Sequence, residues 1–372
     1  MNNYLINDYT NIYLYIYLFS TYYYIFLVIF VTAMTLKNKI TRYTSNDIIY
    51  KKQNENIKIS LEDRMHKYED AFKHTLSPCD RFIVRVDGSN FKALTHKFPK
   101  ANKGESPFDS AFVKAMALTA RDLLIKFNCA TAYVHSDEIS LVFNRVYIEE
   151  KEEKEEKELD DLSNEKKNKY EHIIGGKIEK IISEIPSYTS MRFCYHLKKE
   201  LNARIGFMNI NTPKDYNKIL QHLDDPNIMF DGRLFTVPND CEIGNYFVWR
   251  SVCDCFRNCV STYLRLYESD KSMQSISTSQ RLLLLESKHN VNENSIPFYL
   301  KYGIYMKRMD RSDPVIQNIS IQSNPKVCCF TMKIACSDDV CTLLLNKRLS
   351  EKDTENESLK SCNFNVLDLY LI

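Results

Sequence analysis

Apolar positions recur at two spacings along this chain, and the switches between them mark its elements. Leu61, Met65 and Tyr68 stand at helical spacing in a charged run, which predicts a short amphipathic helix over 61–68. Arg81 to Val86 reads Arg-Phe-Ile-Val-Arg-Val, a β-branched and aromatic alternation closed by Asp87-Gly88; it predicts a strand ending in a turn. Ser106-Pro107-Phe108-Asp109 supplies an N-cap hydroxyl, a proline suited to the first helical position and an acid three residues past the cap, so a helix is expected to start there. Phe108, Phe112, Met116, Thr119, Ala120, Leu123, Leu124 and Phe127 share one face, carrying it to about Phe127. Thr131–Val134 and Ile139–Phe143 are strand-like runs joined by His135-Ser136-Asp137-Glu138, a hairpin with acids at its turn.

Further on, the spacing predicts a helical segment from about Glu171 to Leu197 interrupted at Pro186, a strand over Met229–Val237, and a long helix from Pro238 to about Tyr267 capped by Asn239 or Asp240. Beyond Arg308 the pattern weakens, and Lys326 to Ile372 yields no reading. The order strand, helix, strand, strand brings Asp87 near Asp137 through a right-handed crossover that returns the second strand beside the first. The expected organisation is a hydrophobic segment and polar linker (1–59), the first part of an α+β region (60–148), a charged insertion with no capacity to pack (149–169), the remainder with long helices (170–308), and an unassigned tail (309–372).

Composition changes this picture in three places. At 44% hydrophobic the chain can bury a sizeable core, and 50 basic against 48 acidic residues give no whole-molecule field for a polyanion, so any nucleic-acid surface is a local patch. The twelve cysteines include no Cys-x-x-Cys, which fits unpaired thiols in a reducing compartment; Cys253, Cys255 and Cys259 are spaced for helix packing. Ile12 to Leu36 is free of charge and long enough to cross a bilayer, with Lys37, Lys39 and Arg42 placing the rest on the cytosolic side. A membrane anchor, a targeting segment and translated AT-rich sequence ahead of the true start are three readings that stand open; the compartment is cytoplasmic or mitochondrial.

The chemistry-bearing pattern is a pair of carboxylates at neighbouring sheet positions. Taken singly, Asp-Gly and Ser-Asp are ordinary turn pairs. Together, Asp87 and Asp137 supply hard oxygen ligands suited to magnesium, which commonly takes one or two carboxylates and completes its shell with substrate phosphates. Gly88 lets the backbone approach a ligand, Ser136 offers a hydroxyl and amide, and Lys92, Lys97, Lys100, Lys103 and Lys177 stand near enough to meet phosphates. Glu138 is a supporting acid, since adjacent strand residues face opposite ways.

These residues resemble the tRNA-His guanylyltransferase superfamily. The resemblance rests on Asp63-Arg64-Met65 through Tyr68-Glu69, Arg85-Val86-Asp87-Gly88-Ser89-Asn90-Phe91, Pro107-Phe108-Asp109, His135-Ser136-Asp137-Glu138-Ile139-Ser140, Phe230-Asp231-Gly232-Arg233, Trp249-Arg250 and Asp254-Cys255-Phe256-Arg257-Asn258 in order, covering roughly 61–308. It implies a polymerase-palm-like (ferredoxin-like) antiparallel sheet flanked by helices, with a helical second half, that adds nucleotides in the 3′-to-5′ direction. It further implies two Mg2+ ions on Asp87, the Gly88 carbonyl and Asp137, and catalytic roles for Asp87, Asp137 and Glu138. Nucleotide contacts are implied from Asp87, Gly88, Ser89, Asn90, Phe91, Lys92, Ser136 and Asp137. ATP and GTP or other NTPs are the implied substrates, tRNA the partner and a homotetramer the assembly.

The long helix reads Cys255-Phe256-Arg257-Asn258-Cys259-Val260 where guanylyltransferases proper carry a His-Ile-Asn-Asn-Leu-Tyr-Asn type motif, and so looks like the tRNA 5′-end repair branch. Arg250, Asp254 and Asn258 share a helix face at four-residue steps. With Arg257, Lys103, Lys177 and Lys180 they are candidate tRNA or phosphate contacts. Ser89 replaces a commonly basic residue, which leaves Lys92 to supply that phosphate contact. A membrane-anchored nucleotide cyclase and an inactive RNA-binding relative are the competing readings.

Overall fold

The computed structural model describes residues 60–146, 171–207, 214–224, 228–309, 327–350, 353 and 356–368. The apolar 12–36 stretch and the charged 149–169 stretch lie outside them. Among the described residues no helix is long and apolar enough to cross a membrane. Residues 1–73 and 74–372 are two compact units. The described part of the first holds helix α1 (Leu61–Asp70), whose N-cap Ser60 accepts the Asp63 N–H at 3.0 Å and donates its hydroxyl to the Asp63 carboxylate at 2.7 Å.

The second unit is built on strand β1 (Arg81–Ser89), short helix α2 (Phe91–Thr95), helix α3 (Ser110–Lys126), and the hairpin β2 (Thr131–His135) and β3 (Glu138–Phe143). Helices α4 (Ile178–Phe207) and α5 (Lys214–Asp224) and strand β4 (Met229–Val237) follow. The strand order β4-β1-β3-β2 is antiparallel throughout, the split β-α-β arrangement of a ferredoxin-like layer. α3 thus returns the chain parallel to β1 but one strand away, and β3 fills the gap. The expectation that the second strand lies beside the first is corrected: Asp87 meets the hairpin through β3, opposite Glu138.

Strand alternation sorts the two faces. Phe82, Val84 and Val86 point with Ile139 and Leu141 into a core closed by Met116, Leu123, Ile185 and Phe193 of α3 and α4. Ile83, Tyr133 and Val142 point the other way, against Ile243 and Phe247 of helix α6 (Asp240–Phe247) and Leu343 and Leu344 of a later helix. From α6 the chain runs through an i→i+5 bonded π-helical stretch (Val248–Cys255) into α7 (Phe256–Leu264), which packs with α8 (Thr278–His289) around Val260, Leu264 and Leu285. Buried Cys259 belongs to this packing and buried Cys255 donates to the Leu300 carbonyl, while Cys253 is exposed.

Four boundaries differ from expectation. β1 continues through Asp87, Gly88 and Ser89 because β4 pairs with all three, so Asp87 lies on a strand and not on a turn. α3 begins at Ser110, not at Ser106, because Asp109 caps it by accepting the Ala111 N–H at 2.8 Å. The helix after Asn239 ends at Leu264, short of Tyr267. Pro186 does not interrupt α4. Its ring occupies the space over Gly232, where a Cβ would come within 2.5 Å of Pro186 Cγ, and packing against β4 offsets the hydrogen bond that proline removes.

The stretch left unassigned from sequence extends the same sheet. After α9 (Phe298–Tyr302), β5 (Ile304–Met309) pairs with β2, β6 (Val327–Thr331) with β5 and β8 (Asn365–Leu367) with β6, while β7 (Arg348–Leu349) lies parallel to β5. Helices α10 (Asp338–Leu345) and α11 (Glu357–Ser361) belong to this part. Fully buried Lys307 of β5 ties the layers together. Its Nζ donates to Thr131 Oγ1 at 2.9 Å, Ala130 O at 3.2 Å and the Asn346 carbonyl, and Thr131 Oγ1 donates in turn to Leu344 O at 2.6 Å.

Burial lowers the Lys307 pKa to about 7. Between that value and 10.5 the unfolded chain binds a proton the folded chain does not, so stability rises with pH across the window. Lys307→Met is expected to cost about 3 kcal/mol by stranding buried acceptors, and to remove this pH dependence, both read from urea midpoints at pH 7 and 10.

Candidate active site

The end of β1 and the β2–β3 turn form one structure. Ser136 takes the left-handed conformation (φ 50°) in a two-residue turn, a position where a short polar side chain is tolerated and a β-branched one is not. The turn is pinned to β1 by the Gly88 N–H donating to the Asp137 carbonyl at 3.1 Å. Ser136 Oγ donates to Asp137 Oδ1 at 2.9 Å.

Both aspartates are held against their own charge. Burial raises the Asp87 pKa, the Asp137 charge and then that of Asp231 raise it further, and Arg85 and Arg233 oppose them. Burial likewise raises that of Asp137 against its bond from Ser136. A half-buried carboxylate close enough to feel its neighbour is an arrangement that a bound cation relieves. Among the described residues no group of three or more His, Cys, Asp or Glu side chains is set to hold a metal. Two neighbouring carboxylates still fit magnesium, which fills its shell with phosphate oxygens and water.

Gly88 also serves packing, beyond its expected role in letting a ligand approach. A Cβ there would lie 2.4 Å from the Phe91 ring. Phe91 is itself 3% exposed, packed at 4.8 Å from Phe230, 5.2 Å from Phe193 and 6.2 Å from Phe112, and reaches a ligand only as part of a cavity wall. Asn90 adopts the left-handed conformation (φ 57°) that turns β1 into α2. That turn brings Lys92, Thr95 and His96 to a cavity of about 560 Å³, whose wall also includes Phe112, Ser136, Asp137, Thr262, Arg265 and Asp270. Such a volume suits a nucleotide-sized ligand.

Glu138 is committed elsewhere. Buried Glu138 accepts both Nε (2.9 Å) and a terminal nitrogen of the partly buried Arg250, and lies 3.8 Å from Nε of the partly buried Arg85. Arg250 also donates to Asp254, which Arg257 meets at 2.7 Å. The expectation of a catalytic Glu138 is corrected to an acid neutralised by a guanidinium, and Arg250 is no free phosphate ligand. None of Lys103, Lys177, Lys180, Arg250, Arg257 and Asn258 lines the cavity. Lys103 lies over the Tyr267 ring at 5.7 Å, and Lys177 and Lys180 are exposed.

Sequence reasoning missed His96, Thr262, Arg265 and Asp270, which no motif marks. It also missed buried His135, whose Nδ1 finds no hydrogen-bond partner among the described residues and lies 3.9 Å from Glu138 Oε1.

The tRNAHis guanylyltransferase family matches the chain over residues 62–238, which contain β1, the hairpin and β4. Over that segment the chain is similar to the tRNA-His guanylyltransferase superfamily. That similarity supports a nucleotidyltransferase of the same type. An uncharacterized protein of Acanthamoeba polyphaga mimivirus is 29% identical to it over 307 residues, 80% of this chain and 95% of that one. Among solved structures, a bacterial tRNA(His) guanylyltransferase-like protein in complex with ATP is similar at TM-score 0.50 and 24% identity, covering 66% of this chain and 88% of that one. The tRNA(His) guanylyltransferase of Saccharomyces cerevisiae gives TM-score 0.44 and 19% identity, over 64% and 90% of the respective chains.

Two substitutions separate packing from chemistry at this site. Gly88→Ala is expected to cost about 1–3 kcal/mol by overpacking against Phe91, measured by urea unfolding. Glu138→Ala, which leaves Arg250 and Arg85 partly buried without their shared acid, is expected to cost about 3 kcal/mol. Nucleotide affinity per folded molecule, measured by equilibrium dialysis, is expected to stay unchanged in Glu138→Ala; its loss together with native stability contradicts the structural assignment.

Proposed function

We propose that this chain adds nucleotides in the 3′-to-5′ direction to the 5′ end of tRNA, in the manner of the end-repair branch, with two Mg2+ ions held by Asp87, the Gly88 carbonyl and Asp137. The observation that carries the reading is the convergence of Asp87 and Asp137 at one end of the sheet, each with its charge disfavoured by burial.

The reaction asks for two displacements at phosphorus. ATP first activates a 5′-monophosphate, forming the 5′-adenylate and releasing pyrophosphate. The 3′-hydroxyl of an incoming NTP then attacks the 5′ phosphorus, a new phosphodiester bond forms, AMP leaves with the electron pair of the broken bond, and the hydroxyl proton passes to water. A 5′-triphosphate omits the first step and releases pyrophosphate in the second. When bound, the cations shield the attacking hydroxyl from the phosphate's negative charge and neutralise the leaving group.

The chain's own residues do the positioning. Lys92 and His96 stand on the cavity wall where the triphosphate of an incoming nucleotide is placed by this reading, and Ser136 orients the Asp137 carboxylate through its 2.9 Å bond. The aromatic packing of Phe91 fixes the β1–α2 turn so that Lys92 and Asp87 keep their spacing.

Purified protein with a 5′-truncated tRNA, ATP, the four NTPs and magnesium is expected to lengthen the RNA at its 5′ end. Asp87→Ala and Asp137→Ala are each expected to lower that rate by at least about 100-fold while leaving the circular-dichroism spectrum native. No extension by the native chain, or undiminished extension by Asp137→Ala, overturns the reading; cyclic nucleotide formed from GTP or ATP without RNA assigns a cyclase instead.

A further inference from the structure

The chain has one tryptophan, and it is exposed beside the proposed metal site. Trp249 lies on the π-helical stretch with 49% of its surface open, although an indole is among the side chains that gain most from burial. Its ring is set by neighbours on three elements: the Arg250 guanidinium 4.7 Å from the ring centroid, that of Arg85 on β1 at 6.0 Å, and Tyr246 of α6 edge-on at 6.0 Å. The anchoring is firm because Arg250 is itself fixed by two bonds to Glu138 and one to Asp254.

Position gives this ring its meaning. Arg85 and Asp87 are two apart on β1 and point to the same face of the sheet, about 7 Å from one another. That is the face of Ile83 and Val142, opposite the face of Val84 and Val86. The nucleotide-sized cavity touches Asp137 but not Asp87, Arg85 or Trp249. Asp87 therefore lies outside that cavity, on the sheet face where Arg85, two residues away, meets the half-exposed indole.

A 3′-to-5′ addition brings two nucleic-acid pieces to one cation pair: an incoming nucleotide and the 5′ end it extends. We propose that the cavity takes the incoming nucleotide and that Trp249 is the platform on which the 5′-terminal base of the RNA stacks, placing its 5′ phosphate at Asp87. Base–aromatic stacking is sequence-tolerant, which suits an enzyme whose terminal base changes with every addition. Flanking guanidinium groups favour a π-rich occupant. Their charge is balanced locally, Arg85 and Arg250 by Glu138 and Asp254, and Arg233 by Asp231 at 4.0 Å, so the platform binds by stacking and leaves phosphate capture to the cations.

This inference rests on the function proposed above, and its test reads the two separately. Because Trp249 is the only tryptophan, emission on selective excitation at 295 nm reports on it alone in the unaltered full-length chain. Adding a 5′-truncated, 5′-triphosphorylated tRNA with magnesium is expected to quench that emission in a saturable way, whereas GTP with magnesium leaves it within about a tenth of its starting value. Trp249→Ala is expected to raise KM for the RNA about tenfold or more with the KM for GTP unchanged, and Trp249→Phe, which keeps an aromatic face, to stay within about threefold of the native chain.

Extension by the native chain without quenching, or a KM increase confined to GTP, overturns the platform and leaves the proposed function standing. Emission that falls with protein concentration alone, together with a larger mass by light scattering, assigns the ring to contact between copies of this chain and overturns it too. A native chain that neither extends nor binds the tRNA overturns both.

Discussion

The hydrogen bond from the Gly88 amide to the Asp137 carbonyl closes the β1–β3 ladder at the point where the sheet would otherwise fray, and it does so between two acids that repel one another. Every other feature of the site can be traced to that closure. It needs an unsubstituted Cα, because Phe91 sits against it, and the aromatic cluster around Phe91 in turn needs α3, α4 and β4 in place. The local repulsion is therefore borne by a core of ordinary hydrophobic packing, which a short hairpin alone does not possess.

Charge is partitioned sharply around this point. Among the described residues Asp87 and Asp137 have no guanidinium partner in bonding distance, whereas the adjacent Glu138 takes Arg250 in a two-pronged pair. The register explains the division: Glu138 stands opposite Asp87 on the face against which α6 and the π-helical stretch pack, and Asp137 lies one residue beyond the strand, on the turn. Three neighbouring acids thus fall into two settings, two carboxylates with their charge disfavoured and one counter-charge for an arginine. Trp249, resting on that same arginine, links the ion-pair network to the open face.

Much of this was legible in the residues. The strand over Met229–Val237 and the hairpin around Asp137 show their periodicity without help from distant contacts, and the motifs that place Asp87 and Asp137 together are local. What was not legible depends on partners remote in sequence. Pro186 reads as a helix break until Gly232 is seen to receive its ring. The strands beyond residue 326 have short, weakly periodic sequences and are defined by pairing with β5 or, for β8, with β6, and β5's own partner β2 lies far earlier in the chain. Ser106 has the composition of a cap, yet Asp109 caps the helix and is itself held by Arg204 and Tyr216. Glu138 looks like a third ligand until Arg250, over a hundred residues away, is brought onto it.

The central claim is that Asp87 and Asp137 act as one binding unit for divalent cations. Its most direct test is the equilibrium binding of Mn2+, followed by the loss of the free-ion electron paramagnetic resonance signal in the presence of a nucleoside triphosphate, for the native chain, Asp87→Asn, Asp137→Asn and the double variant. A shared site predicts that each single substitution removes most of the protein-dependent binding and that the double variant is scarcely weaker than either. Additive losses from two independent sites, or binding undiminished by either substitution in a folded protein, would contradict the account.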